Sequence, residues 1–184
     1  MSIKASISWA VGAGKSTITK KVVEKLWCET ADVWQIFRSR AVEKWMTINE
    51  YDKFVEKNPQ EDIDMDNDFK KLVENSKKNI IVSRRMWFHF MPEILTIWLD
   101  VSDIEWAKRV MGDDRGNQEK KYKTINDALD ANTERTKRLR ERILKVYGVD
   151  FTDKNNYKVV IKTDGKTVEQ VVDEVIKTIV WTTD

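Results

Sequence analysis

The chain has 184 residues, a length that holds one α/β domain and falls short of two ordinary ones. Its 33 basic and 31 acidic residues leave a net charge of +2, which excludes a global pull towards nucleic acid or anionic membrane. The single cysteine, Cys28, excludes an internal disulfide, a cysteine zinc site and an iron–sulfur cluster. No apolar run approaches the ~20 residues of a spanning helix, and the start at Met1–Lys4 lacks signal-peptide character. The expectation is a soluble, cytoplasmic, monomeric protein with one domain over 1–184.

Ile3 to Ser8 is a short apolar run that predicts a first strand and leads into a glycine-containing loop. From Lys15 to Leu26, Ile18, Val22, Val23 and Leu26 fall on one face of a helix. Val33–Lys44 and Ile48–Lys57 predict two more helices, the second with Thr47 as N-cap and Glu50 as its capping partner. Asp62–Ser76 continues with Phe69, Leu72 and Val73 as an apolar side. Asn79–Ser83 and Thr96–Val101 are nearly continuous apolar runs, the mark of strands buried on both faces of a parallel sheet. Ser102 caps a helix running through Val110, Ile125–Val146 is a long charged helix, and Tyr157–Ile161 is another buried strand. Thr167–Val180 closes the series with Val168, Val171, Val172, Val175, Ile176 and Ile179 inward. Strands alternating with helices predict a doubly wound α/β sheet.

Gly12-Ala13-Gly14-Lys15-Ser16-Thr17, preceded by Val11, sits between the first strand and the first helix, where a phosphate loop belongs. Small residues let successive backbone N–H groups curl around phosphate oxygens, and the helix N-terminus adds partial positive charge. In such a loop Lys15 reaches the β- and γ-phosphates and the Ser16 hydroxyl holds Mg²⁺. The plainer alternative is a tight strand–helix turn with an incidental lysine. The full pattern G-x-x-x-x-G-K-[ST] begins with glycine, and Trp9 stands at that position. Elsewhere, Asp62, Asp64, Asp66 and Asp68 suit either a carboxylate metal site or a solvated acidic helix start. The basic run from Arg135 to Arg142 suits a solvated helix face. His89 lies between two phenylalanines and reads as packed.

Further motifs extend the likeness over nearly the whole chain: Val33–Arg38 (V-x-Q-I-F-R), Met46–Pro59, Asp62 with Asp66, Arg85–Pro92, Trp98–Val101, Ala107–Arg115, Arg135 with Arg142, and Tyr147–Asp150. Taken together they resemble the nucleoside monophosphate kinases, most of all the short cytidylate kinases of archaea and candidate-phylum bacteria. The resemblance implies a P-loop NTPase fold: a five-stranded parallel sheet flanked by helices, an acceptor-binding helical insert at about 35–78 and a lid at about 112–145. It implies transfer of phosphate from Mg·ATP to CMP or dCMP, with ATP and Mg²⁺ as cofactors and small nucleotides as partners. Residues 11–17 and Arg109 would bind ATP. Arg38, Arg85, Asp62 and Asp66 would bind the acceptor, while Lys15, Arg115, Arg135 and Arg142 act on the transferring phosphate and Ser16 on the metal. A kinase for AMP or UMP, or a nucleotide- or RNA-binding module that has lost catalysis, are the alternatives. The chain departs from the family pattern at Ser83, Arg84 and Arg138.

The eight tryptophans against six glycines form a pattern of their own. Against the family pattern, Trp9, Trp27, Trp34 and Trp45 replace glycines, and Trp87 and Trp106 replace small residues. Glycine serves positions of positive φ or close backbone approach, which tryptophan suits badly. A gene that encodes glycine by UGA, read with a table that makes UGA tryptophan, produces this pattern; a deliberately altered sequence is the competing account. UGG codons at positions 9, 34 and 45 would exclude the first. With Trp9 the loop is expected to bind ATP weakly, and with glycine there it would be complete.

Overall fold

The computed structural model describes residues 3–9, 15–31, 33–112 and 122–183. Among them, strand β1 (Lys4–Trp9) leads to helix α1 (Lys15–Leu26), strand β2 (Glu29–Ala31) and helices α2 (Val33–Glu43), α3 (Ile48–Lys57) and α4 (Pro59–Asn75). Strand β3 (Ile80–Val82), the single turn α5 (Trp87–Phe90), strand β4 (Leu95–Asp100) and helices α6 (Asp103–Gly112) and α7 (Ile125–Tyr147) follow. Strand β5 (Val159–Lys162) and helix α8 (Val168–Thr183) complete the order. The five strands pair in parallel, as the alternation predicted for four of them and the resemblance for the number, in the order β2-β3-β1-β4-β5.

Alternation along β1 and β4 divides the core. Ala5, Ile7 and Trp9 join Leu95, Ile97 and Leu99 on one face, under α1, α6 and α8. The opposite face carries Ser6, Ser8, Thr96 and Trp98, where Trp98 packs with Met86, Ile143, Phe151 and Tyr157 beneath α7. Phe69 and Val73 of α4 cover Ile80 and Val82 of β3, together with Trp87. Phe37, Tyr51, Val55 and Met65 make a separate small core among α2, α3 and α4.

Several local signals hold. Thr47 accepts from Glu50 N and Glu50 accepts from Thr47 N at 2.8 Å, a complete capping box. Ser102 Oγ accepts from Glu105 N at the start of α6. Others shift: α4 begins at Pro59, three residues ahead of Asp62, because proline suits the first helical position. β5 lies at the sheet edge, so Val160 is exposed and Ile161 is its only buried residue. β2, three residues with only Ala31 buried, carried no readable pattern.

The helix ends bear directly on the tryptophans. Trp27 has φ +52° and Trp45 φ +55°, the positive-φ non-glycine residues of the described chain. After each, the next residue closes a six-to-one bond typical of a left-handed helix stop: Cys28 N to Val23 O at 3.1 Å, and Met46 N to Ala41 O at 2.9 Å. Both indoles project into solvent, 92% and 97% exposed. Helix α7 ends in the same left-handed conformation on a true glycine, Gly148, at φ +69°. Trp87, Trp98 and Trp106 are buried with no acceptor for their indole N–H groups.

Candidate active site

In open α/β sheets ligands bind beyond the carboxyl ends of the strands. At that edge of β1 and β3 a cleft of about 530 Å³ opens between α2–α4 on one side and α7 on the other. Its floor is the segment after β3, Ser83 to Met86. The inward serines of β1 hold this segment: Ser8 Oγ donates to Arg84 O at 2.7 Å, and Ser6 Oγ lies 3.3 Å from the same oxygen. Tyr157 Oη lies 2.7 Å from Arg85 O and 2.8 Å from Phe151 O, so the backbone carrying both arginines is fixed from the β5 side as well.

The arginines differ in how their charge is balanced. Arg84 pairs with Asp66, a fully buried carboxylate on α4. Arg142 on α7 reaches Asp62 at 3.2 Å across the cleft. Burial pushes the Asp62 carboxyl above its ordinary range although Arg142 opposes the shift. Among the described residues Arg85 has neither an acid partner nor an acceptor for its Nε, and it is pushed down to about 10 by burial and then by the charge of Arg135. Its guanidinium lies 5.3 Å from the Trp9 ring and 5.9 Å from that of Phe151. The site thus holds a partly buried cation for which the described residues supply no anion.

Asp52 and Glu56 on α3, one turn apart, line the opposite wall. The cleft is therefore cationic at its sheet end and acidic at its α3 end. It joins Arg85, Asp62, Arg135 and Arg142, all expected from the sequence, with Arg84, Arg138, Asp52 and Glu56, which no motif reading assigned to the site. Trp9 lines it too. A helical-spacing argument on α3, whose Tyr51 and Val55 point inward, could have placed Asp52 and Glu56 on the adjoining stripe.

Other expected residues lie elsewhere. Asp66 sits behind the cleft wall, occupied by Arg84 and by Tyr147 Oη, which donates to it at 2.5 Å. Arg38 is exposed on α2 and is not among the cleft residues. Arg109 on α6 bonds Thr163 O at 2.7 Å and Glu105 at 3.0 Å, apart from this cleft. Lys15 and Ser16 open α1, and Thr17 is exposed in its first turn. Val11, Gly12, Ala13, Gly14 and Arg115 lie outside the described residues. No group of metal-ligating side chains occurs among the described residues, so Asp62, Asp64, Asp66 and Asp68 form no carboxylate metal cluster. No described helix is long and apolar enough to cross a membrane.

No protein-family model matches the chain. An S-adenosylmethionine-dependent nucleotide dehydratase of Lacinutrix mariniflava is 35% identical over 178 residues; these are 96% of this chain but 36% of that protein. The cytidylate kinase of Thermococcus kodakarensis is 30% identical over 161 residues, covering 86% of this chain and 78% of the enzyme. Among solved structures, shikimate kinase from Bacteroides thetaiotaomicron matches with a TM-score of 0.62 over 96% of this chain and 98% of its own, at 14% identity, a likeness of fold. With a sheet of order 2-3-1-4-5 and a curated relative at this identity over most of both lengths, the chain belongs to the cytidylate kinase family of P-loop kinases.

Proposed function

We propose that the chain is a nucleoside monophosphate kinase that transfers the γ-phosphoryl group of Mg·ATP to CMP or dCMP. The observation that carries this reading is Arg85, partly buried and facing the cleft with Arg135 opposite, neither with an acid partner among the described residues. With Arg84 and Arg142 neutralised by Asp66 and Asp62, these two charges match one phosphate dianion. Asp52 and Glu56 at the other end suit the amino and hydroxyl donors of a nucleoside.

By their types and place at the start of α1, Lys15 would serve the phosphates of ATP and the hydroxyl of Ser16 the Mg²⁺. ATP supplies the phosphoryl group, and Mg²⁺ screens its charge. The chain's own task is positioning and electrostatics. Arg85 and Arg135 hold the acceptor phosphate, and Arg135 with Arg142 and Arg115 would gather the charge of the phosphoryl group that transfers onto it. Helices α2–α4, as an acceptor-binding insert, and α7, as part of a lid, exclude water so that ATP is not hydrolysed instead.

The test is ADP release with Mg·ATP against CMP, dCMP, UMP and AMP, on this chain and on a variant with glycine at 9, 27, 34 and 45. CMP-dependent turnover in the glycine variant supports the reading. Turnover of UMP or AMP without CMP moves the acceptor assignment. No turnover by either protein, with the variant well folded, overturns it. In the active form, Arg85→Met is expected to lower kcat/KM for the monophosphate by roughly a hundredfold, since it removes the phosphate's partly buried partner.

The likeness to the dehydratase, over 96% of this chain, favours a second reading in which the kinase serves a nucleotide dehydratase. In that case the phosphorylated nucleotide it releases is the one such an enzyme accepts. A dehydratase that accepts cytidine nucleotides no better than others would remove the basis for it.

A further inference from the structure

We infer that Asp66 and Tyr147 are positioning residues for the acceptor, acting through Arg84, which binds the acceptor beside Arg85; this rests on the kinase reading above. The three residues come from three elements: Asp66 from α4, Arg84 from the segment after β3, and Tyr147 from the last turn of α7. Asp66 is fully buried. Its Oδ1 is ion-paired with Arg84 Nη2 but has no hydrogen bond, and Oδ2 accepts the hydrogen bond from Tyr147 Oη at 2.5 Å. A buried carboxylate is tolerated only when its charge is met in this way.

Arg84 is held at both ends, its carbonyl by Ser8 and its guanidinium by Asp66, while its side chain stays 20% exposed at the cleft. One N–H donor is spent on Asp66, and Nε has no protein acceptor. Because Asp66 cancels its charge, Arg84 adds no net attraction for a phosphate. It offers directional donors, and directional donors act only when their orientation is fixed. Asp66 supplies that orientation, and the Tyr147 hydroxyl keeps Asp66 from turning away. Burial and the neighbouring Asp66 push the tyrosine hydroxyl well above its ordinary range, so it remains a donor at neutral pH.

Calorimetric titration with CMP, and separately with Mg·ATP, tests this on the intact chain, Arg84→Met, Arg84→Lys, Tyr147→Phe and the double variant Arg84→Met/Tyr147→Phe. Arg84→Met is expected to weaken CMP about tenfold and Tyr147→Phe about threefold to fivefold, with ATP affinity unchanged in both. Arg84→Lys, which keeps the charge and loses the planar fork, remains weakened. The double variant binds CMP no worse than Arg84→Met alone, because Tyr147 acts through the arginine. Three results would overturn the inference: CMP affinity untouched by Arg84→Met, effects of the two substitutions that multiply, or equal loss of ATP and CMP binding in Tyr147→Phe, the signature of a merely structural role. If neither the intact chain nor a well-folded variant with glycine at 9, 27, 34 and 45 binds any of CMP, UMP and AMP, the acceptor reading itself is defeated, and this inference with it.

Discussion

At Trp27 and Trp45 a bulky side chain adopts a left-handed backbone that costs an L-residue roughly 1–2 kcal/mol, and neither indole recovers that cost by burial. Gly148 shows what the same helix stop uses when the residue is suited to it. Trp27→Gly and Trp45→Gly are therefore each expected to raise stability by about 1 kcal/mol, additively because they close separate helices, as read by urea unfolding. Unchanged or lower stability would contradict a glycine requirement at these stops. Trp9 differs, since its indole is buried against the sheet and against Arg85. The tryptophans at glycine positions were visible in the sequence, and the positive φ at two of them follows from where α1 and α2 end. The tertiary structure added that Trp9 reaches the acceptor cleft. The side chain of Trp34 lies outside what is described.

Helices and strands form here largely by their own signals, and their junctions are stapled by local polar contacts. Thr124 and Asp127 make the capping box of α7, and just past its end Asp150 accepts from Arg140 Nε at 2.8 Å and from Thr152 Oγ1 at 2.6 Å. These partners hold the Asp150 carboxyl down, to about 2. A carboxylate with a depressed value stabilises the fold above its unfolded range and loses that contribution as pH falls through its folded value. Asp150→Asn should thus cost about 1 kcal/mol at pH 7, a figure reduced for the half-exposed Arg140, and only a small part of that by about pH 2. Urea titrations at pH 7, 4 and 2 read the closing gap; a pH-independent difference would show that packing dominates. The elements that the sequence reading missed, β2 and α5, are too short to carry a period, and β5 is half-exposed because it lies at a sheet edge.

At the scale of the whole molecule, α4 and α7 are joined across the cleft by Asp62–Arg142 and by Asp66–Tyr147, although they lie far apart in sequence. A monophosphate held between Arg85 and Arg135 of α7 adds a contact across the cleft and should tighten this junction. CMP is expected to slow amide exchange in α3, α4 and the second half of α7 and to leave α8 unchanged, and uniform protection or none would place the acceptor elsewhere. The sequence by itself determined the longer helices, four of the strands, the parallel sheet and the Thr47–Glu50 capping box, because periodicity, turn chemistry and residue type are local properties. Only the tertiary structure decided which charges neutralise one another. Asp62 and Asp66 look alike in sequence, one turn apart on one helix, yet one faces the cleft and the other is enclosed behind it. Arg84 and Arg85 are adjacent, yet one is paired and the other has no acid partner among the described residues. Pairing between charges depends on distance and burial set by α4, α7 and the sheet together, and no local pattern encodes that.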